Sequence, residues 1–114
     1  MLQINSSRFF KRLNTINKLN SNISKNGINR IALTKKDKEA RDIIVKWMKE
    51  IGLKIKIDKI GNIFGFNYFN KNSQPIVLGS HIDSVKNGGK YDGLVGVIGA
   101  LEIIEILNSR KKKF

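Results

Sequence analysis

A single histidine follows a short apolar run in the second half of the chain. The run covers residues 76–78, and Pro75, the only proline, precedes it. Proline is tolerated at the first position of a strand, where no ladder hydrogen bond is lost, so the run predicts a buried β-strand. His81 lies just beyond this strand and is the only histidine in the sequence. The chain therefore delivers one imidazole to the edge of a predicted sheet.

Two acidic residues accompany this histidine. Asp83 lies two positions on, and because side chains alternate along an extended segment, its carboxylate points the same way as the imidazole. A carboxylate placed so holds one ring nitrogen and leaves the other for a ligand, as around metal-binding histidines. Asp92 follows an Asn-Gly-Gly loop and precedes an apolar helical run. Structural roles are the alternative for His81 and Asp92, since a lone histidine is often a hydrogen-bonded structural residue and an aspartate before a helix often caps it.

Hydrophobic periodicity predicts two helices in the first half of the chain. The first spans residues 6–20, with Asn5 or the residue after it as its cap. Residues 22–30 are polar and predict an exposed loop. The second helix opens with a capping box at residues 34–37, carries an apolar stripe and ends at Gly52.

Strand patterns follow the second helix. Residues 53–57 alternate apolar and charged side chains, and residues 63–69 form an aromatic-rich second strand after a Gly-Asn turn. The strand at 76–78 is the third, and residues 93–107 form a glycine-bearing helix that we expect to pack closely on the sheet. This order predicts an α/β fold with a mixed sheet flanked by helices. His81 and Asp92 are then expected to approach each other beyond the strand ends.

The composition of the chain restricts its possible metal ligands, location and partners. The chain has no cysteine, so any metal must be bound by histidine and carboxylates. No apolar run is long enough to span a membrane, which indicates a soluble, cytoplasmic protein. The basic stretch before Asp37 lacks acidic residues and is also compatible with an organelle transit peptide. The net charge of +13 is spread over every segment, so it favours a nucleic-acid partner only weakly.

The longer sequence around the histidine is more specific. Residues 79–93 read GSHIDSVKNGGKYDG. They resemble the metal-ligand signature of the hydantoinase/carbamoylase group of amidases, in the M20-type metallopeptidase and amidohydrolase superfamily. That signature combines a histidine, an aspartate two residues on, a Gly-Gly loop and a Tyr/Phe-Asp-Gly. Residues 27–34 and 60–65 resemble the opening region of the same family in order and approximate spacing, so the resemblance covers most of the chain.

The resemblance implies a binuclear metal site. In that family two divalent ions, Zn²⁺ or Mn²⁺, share a bridging water that attacks a carbamoyl or amide carbon. Carried over to this sequence, it implies that His81 ligates one metal, Asp92 bridges both, and Asp83 orients His81 as the catalytic carboxylate. It further implies a small ureido substrate, such as an N-carbamoyl amino acid or allantoate. Complete relatives are then expected to be homodimers with no nucleic-acid or membrane partner.

The remaining ligands and the general base of that family have no match in these 114 residues. The chain therefore resembles an incomplete, N-terminal part of an M20-like catalytic domain. Residues 1–114 would form one unit that does not hydrolyse such substrates alone. Two other interpretations stay open. One is a non-catalytic interaction module, and the other is a small basic nucleic-acid-binding domain using the aromatic residues 64–69 with Lys71.

Overall fold

The computed structural model describes residues 1–21, 26–67 and 72–110. It contains three helices and two strands, in the order α1 (Ser6–Asn17), α2 (Lys35–Glu50), β1 (Lys54–Ile57), β2 (Ile63–Phe66) and α3 (Leu94–Ser109). The predicted α/β class is confirmed, whereas the predicted sheet is not. No helix in the described ranges has the length and apolarity needed to cross a membrane.

The beginning of α1 follows the prediction. Asn5 is the N-cap, and its side-chain oxygen accepts a hydrogen bond of 2.9 Å from the Arg8 N–H. This bond satisfies one of the N–H groups that the first turn of a helix leaves unpaired. The helix ends at Asn17, three residues earlier than predicted, and buries Leu13 and Ile16.

The capping box of α2 is present but shifted by one residue. The Thr34 hydroxyl accepts a hydrogen bond of 3.4 Å from the Asp37 N–H, as the pattern predicts. The Asp37 carboxylate accepts in return from the N–H of Leu33, at 3.0 Å, and not from that of the cap residue. The helix start is therefore fixed by a reciprocal pair of hydrogen bonds that reaches one residue further back than usual.

The end of α2 is a Schellman motif. Gly52 has a φ of +94°, and its N–H donates to the Lys49 carbonyl at 3.0 Å. The next N–H, from Leu53, donates to the Met48 carbonyl at the same distance. These two bonds satisfy carbonyls at the end of the helix, and the left-handed glycine turns the chain into β1. The predicted role of Gly52 is confirmed.

The strands β1 and β2 form an antiparallel hairpin. Its register pairs Lys54 with Phe66 and Ile57 with Ile63. The predicted alternation holds at its start, where Leu53 is buried, but Ile57 at the other end is exposed. The last residues of the predicted second strand, 68 and 69, lie outside the described residues.

The predicted third strand is wrong. Residues 76–78 form no strand, and Ile76 and Val77 are each 80% exposed. An apolar run becomes a buried strand only where another strand pairs with it and a further layer covers it. Within the described residues the only sheet is the β1–β2 hairpin, which contacts α2. The described residues thus form a two-stranded antiparallel sheet, and they do not form the predicted mixed sheet.

The core lies between the three helices. Its buried side chains come from all of them: Leu13, Ile16, Ala40, Ile44, Leu94, Val97, Ile98 and Leu101. Gly93 and Gly96, at the start of α3, pack against residues 79–81 and not against a sheet as predicted. A β-carbon on Gly96 would lie 2.7 Å from the Ser80 β-carbon, whereas one on Gly99 would meet nothing within 4 Å. The segment that carries His81 therefore packs against the first turn of α3.

The predicted exposed loop is partly buried. Residues 22–25 lie outside the described residues, but Asn29 and Arg30 are both buried. Ile28 forms an isolated antiparallel bridge with Gly88, in which each N–H donates to the other carbonyl at 2.9 Å. This bridge joins the segment after α1 to the chain that follows His81. The prediction was wrong because these contacts are distant in sequence.

A buried carboxylate links α1 to α3. Glu102 is only 1% exposed and accepts hydrogen bonds from Arg8 Nε and Nη2, at 2.8 Å each, and from the Asn5 N–H at 2.6 Å. Burial alone would raise the pKa of Glu102. The hydrogen bonds from Arg8 and Asn5, with the charges of Arg8 and Arg12, outweigh burial and lower that pKa. Glu105 makes further ion pairs with the same two arginines.

This carboxylate should make the stability of the fold depend on pH. The pKa of Glu102 is lower in the folded chain than its ordinary value of 4.5. Its contribution to the free energy of unfolding is therefore complete above the ordinary value and is lost as the pH falls through the lowered one. Urea titrations should show the free energy of unfolding decreasing as the pH is lowered below about 5.

The Glu102→Gln variant isolates this effect. Asp58 also has a lowered pKa, because the Asn62 side chain and neighbouring N–H groups donate to it, but it is unchanged in the variant and cancels in the comparison. We expect the variant to lose less stability on acidification than the unmodified chain. Equal losses in both proteins would show that Glu102 is not the group responsible.

Candidate metal centre

His81, Asp83 and Asp92 come together at the N-terminal end of α3. The imidazole lies over Gly93, where a β-carbon would be 2.5 Å from both ring nitrogens. Gly93 is the N-cap of α3 and has a φ of +69° and a ψ of −47°, a conformation that L side chains rarely adopt. A glycine at this position therefore provides both the backbone turn and the space that the ring occupies.

Asp83 holds one nitrogen of the His81 ring. Nδ1 lies 3.2 Å from the Asp83 Oδ1 atom and 3.0 Å from the Asp83 carbonyl oxygen. Because both oxygens are acceptors, we assign the proton of the neutral ring to Nδ1, which donates to them. The lone pair is then on Nε2, the atom free to bind a ligand. The predicted proximity of Asp83 to the ring is confirmed.

Asp92 lies on the other side of the ring. The distance from His81 Nε2 to Asp92 Oδ1 is 3.7 Å, longer than a hydrogen bond. The sum of two metal–ligand bonds of about 2.1 Å exceeds this distance. The two atoms are therefore close enough to bind the same divalent ion. Both side chains are accessible, with 51% of His81 and 69% of Asp92 exposed. The donor set, imidazole and carboxylate, is one that zinc accepts.

The predicted approach of His81 and Asp92 is thus confirmed, but its setting was predicted wrongly. They meet at the start of a helix and not at a sheet edge, because the residues before His81 form no strand. Asp92 does not cap α3 either. Gly93 is the N-cap, and no side chain makes a cap hydrogen bond there. The Asp92 carboxylate therefore does not act as a helix cap, which is the commonest structural role for an aspartate before a helix.

His81 and Asp92 do not complete a metal site by themselves. The histidine and all nine acidic residues fall within the described ranges, and no group of three or more of these side chains is placed there to hold a metal ion. Glu102 and Glu105, the carboxylates after Asp92, are held in ion pairs by Arg8 and Arg12. Neither is available to the candidate centre.

Arg30 lies behind the centre and was not predicted as a functional residue. It is 2% exposed, and its Nε donates to the carbonyl of Ile82, the residue between His81 and Asp83, at 3.0 Å. Burial lowers the pKa of Arg30, while the charges of Asp37 and Asp83 oppose that shift. A polar stretch around an arginine predicts exposure, so local sequence carried no signal of this arrangement.

The aromatic strand considered for nucleic-acid binding is only partly described. The Phe64 and Phe66 rings stack on each other, with centroids 6.1 Å apart and an interplanar angle of 22°. Each ring uses one face for this contact, which leaves less aromatic surface for stacking with bases than the prediction assumed. Residues 68, 69 and 71 lie outside the described residues.

No family model matches the chain. It is, however, 43% identical over 83 residues to the N-carbamoyl-L-amino-acid amidohydrolase of Pseudomonas sp. (strain NS671), a match that covers 72% of this chain and 20% of the relative. The fold matches that of a hydantoinase/carbamoylase family amidase from Burkholderia multivorans with a TM-score of 0.89 and 38% identity, over 96% of this chain and 27% of that one. The chain belongs to the hydantoinase/carbamoylase family of amidases.

A second crystal structure extends the comparison to a ligand complex. AtUAH in complex with glyoxylate matches this hydantoinase/carbamoylase family chain with a TM-score of 0.89 and 32% identity, over 96% of this chain and 26% of that one. This chain therefore spans about a fifth to a quarter of the length of these family relatives.

Proposed function

We propose that this chain supplies two metal ligands, His81 and Asp92, to the binuclear site of an amidohydrolase. The substrates would be N-carbamoyl amino acids or related ureido acids such as allantoate. The observation that carries this proposal is the 3.7 Å separation of His81 Nε2 and Asp92 Oδ1, with Asp83 on the other ring nitrogen. The named activity of the Pseudomonas relative supports the substrate class, and the glyoxylate complex of AtUAH supports a small carboxylic acid as ligand.

Each residue has a distinct task in this proposal. His81 presents the Nε2 lone pair, and Asp83 fixes the tautomer and the orientation of its ring. Asp92 offers two exposed carboxylate oxygens, which is what a ligand shared by two ions requires. Divalent ions such as Zn²⁺ or Mn²⁺ supply, when bound, a water acidic enough to yield hydroxide near neutral pH.

Proton transfer needs a group that the described part of this chain does not position. The carboxylates of Glu102 and Glu105 are bound to arginines, and they form no cluster with His81 among the described residues. A general base must come within hydrogen-bonding reach of the proton that it takes. We therefore propose that the base and the further ligands come from additional polypeptide. We also propose that the complete assembly is a homodimer, as the family resemblance implies.

The experiment is a chimera. The part of the Burkholderia multivorans amidase that matches this chain is replaced by residues 1–114, and release of the amino acid from N-carbamoyl amino acids is assayed with Mn²⁺ or Zn²⁺. We expect the chimera to be active and the 114-residue chain alone to be inactive. His81→Ala or Asp92→Ala should lower kcat by on the order of 10³-fold, since a metal-bound water supplies several kcal/mol of the catalysis.

The Asp42→Ala chimera is the matched control. Asp42 is an exposed carboxylate on α2 that pairs with the exposed Lys38, so its removal should leave kcat unchanged. A folded chimera that keeps its activity in His81→Ala would contradict the proposed function.

The exposed apolar run favours a second candidate, a non-catalytic interaction module. Residues 76–78 are uncovered by any strand in the described residues, and Ile76 and Val77 are largely exposed. Apolar side chains exposed together often mark an interaction surface. This function requires neither His81 nor Asp92. A chimera that folds but remains inactive would favour it over the catalytic proposal.

The isolated chain should bind divalent metal only weakly. His81 and Asp92 supply two ligands, whereas protein zinc sites usually supply three or four. Calorimetric titration of the 114-residue chain with Zn²⁺ or Mn²⁺ should therefore show affinity weaker than micromolar, and that affinity should decrease further in His81→Ala. A submicromolar site that depends on His81 would contradict this prediction.

A further inference from the structure

We infer that Arg30 is a positioning residue for the candidate metal centre, which holds the backbone of residues 82–84 so that His81 and Asp83 stay aligned. The importance of this role rests on the proposed function of His81. The contacts that carry it do not depend on a metal.

The Arg30 guanidinium links the backbone at Ile82, between His81 and Asp83, to the end of α1. Arg30 Nε donates to the Ile82 carbonyl at 3.0 Å. Nη1 donates to the carbonyl of Ile16 at 3.1 Å and to that of Leu19 at 3.4 Å, at the C-terminal end of α1. The Ile82 carbonyl is more than sixty residues away in sequence from the other two acceptors. One side chain therefore fixes the peptide between His81 and Asp83 to the end of a core helix.

The backbone of Arg30 adds a second attachment. Its N–H donates to the Ser84 hydroxyl, and the Ser84 N–H donates to the Arg30 carbonyl, both at 2.9 Å. The Ser84 hydroxyl in turn donates to the Ile28 carbonyl at 2.9 Å. Residues 82 and 84 are thus held by hydrogen bonds to the segment around Arg30, whereas the side chains of His81 and Asp83 are 51% and 41% exposed.

An arginine is needed for this arrangement. Burying a charged side chain is costly unless its donors are paired, and an apolar residue would fill the same space at lower cost. The planar guanidinium presents several N–H donors in a fixed fork, so it reaches carbonyls of two segments at once. The ammonium of a lysine is a point charge on a flexible stem and cannot reproduce that geometry. The hydrogen bonds that hold residues 82–84 in place thus offset the free-energy cost of burying the Arg30 charge.

The test uses the fact that His81 is the only histidine, so its ring signals are unambiguous. Nitrogen NMR of the neutral ring in the metal-free, 114-residue chain reports the ratio of the Nδ1–H to the Nε2–H tautomer. We expect Nδ1–H to predominate in the unmodified chain. In Arg30→Lys, which keeps the charge but lacks the fork, the ratio should fall at least about twofold, comparable to the loss of one hydrogen bond.

Arg41→Lys is the matched control. Arg41 also donates to a main-chain carbonyl, that of Gly61 in the β1–β2 turn, so this variant should leave the His81 ratio unchanged. Circular dichroism identifies any variant that fails to fold. If Arg30→Lys does not fold, Ser84→Ala removes the two hydrogen bonds of the Ser84 hydroxyl, keeps the main-chain bond to the Arg30 carbonyl, and should lower the ratio instead. An unchanged ratio in the folded variant, or an equal fall in Arg41→Lys, would overturn the inference. Because no metal is present, failure of the proposed function would not alter this result.

Discussion

Replacing Gly93 by alanine should displace the His81 ring and separate it from Asp92. The added β-carbon would lie 2.5 Å from both ring nitrogens, and the φ of +69° at this position is strained for an L residue. Such backbone strain costs about 1–3 kcal/mol. Moving the ring to relieve the clash should weaken the contact between His81 Nδ1 and Asp83. Gly93→Ala should therefore lower both the stability of the chain and the preference of His81 for the Nδ1–H tautomer.

Gly99→Ala is the control on the same helix. A β-carbon there would meet nothing within 4 Å, and an alanine in a helix interior is more stable than a glycine by about 0.5–1 kcal/mol. In urea unfolding the two substitutions should therefore act in opposite directions. Equal effects of the two alanines, or an unchanged His81 tautomer in Gly93→Ala, would show that Gly93 does not determine the position of the ring.

Glu102→Ala should strongly destabilise the fold. It removes the acceptor of two Arg8 hydrogen bonds and leaves the Asn5 N–H at the start of α1 unpaired. Removing one partner of a buried ion pair costs about 3–5 kcal/mol, and because the Arg8 side chain is 30% exposed and can partly rehydrate, we expect about 3 kcal/mol. The measurement is the free energy of unfolding in urea, at a pH where Glu102 is ionised.

Asp42→Ala is again the matched control. The Lys38–Asp42 pair has an N–O distance of 2.6 Å, but both side chains are mostly exposed. Exposed pairs contribute about 0–1 kcal/mol, so this substitution should change stability little. A Glu102→Ala variant as stable as Asp42→Ala would mean that the buried pair does not hold α1 against α3.

The parts of the fold that could be predicted from the sequence are those fixed by nearby residues. Asn5, Thr34 and Gly52 each act on backbone groups within four positions, so capping patterns identify the starts of α1 and α2 and the end of α2. The proximity of Asp83 to His81 was predictable for the same reason. The two residues are two positions apart, and the loop to Asp92 is short.

The parts that could not be predicted depend on distant partners. Residues 76–78 have the composition of a buried strand, but no strand pairs with them in the described part of the chain. Arg30 lies in a polar stretch, and its burial depends on carbonyls of Ile16, Leu19 and Ile82. Local composition does not contain such contacts. The metal roles of His81 and Asp92 came from the family resemblance, and they remain proposals.

The most direct test of the proposed metal role is nitrogen NMR of His81 during titration of the 114-residue chain with Zn²⁺. Because the chain has a single histidine, each ring nitrogen can be followed separately. The predicted result is weak binding that shifts the Nε2 signal while Nδ1 keeps its proton, with a further loss of affinity in Asp92→Asn. Binding through Nδ1, ring signals that stay unchanged at millimolar Zn²⁺, or an affinity that is the same in Asp92→Asn would contradict it.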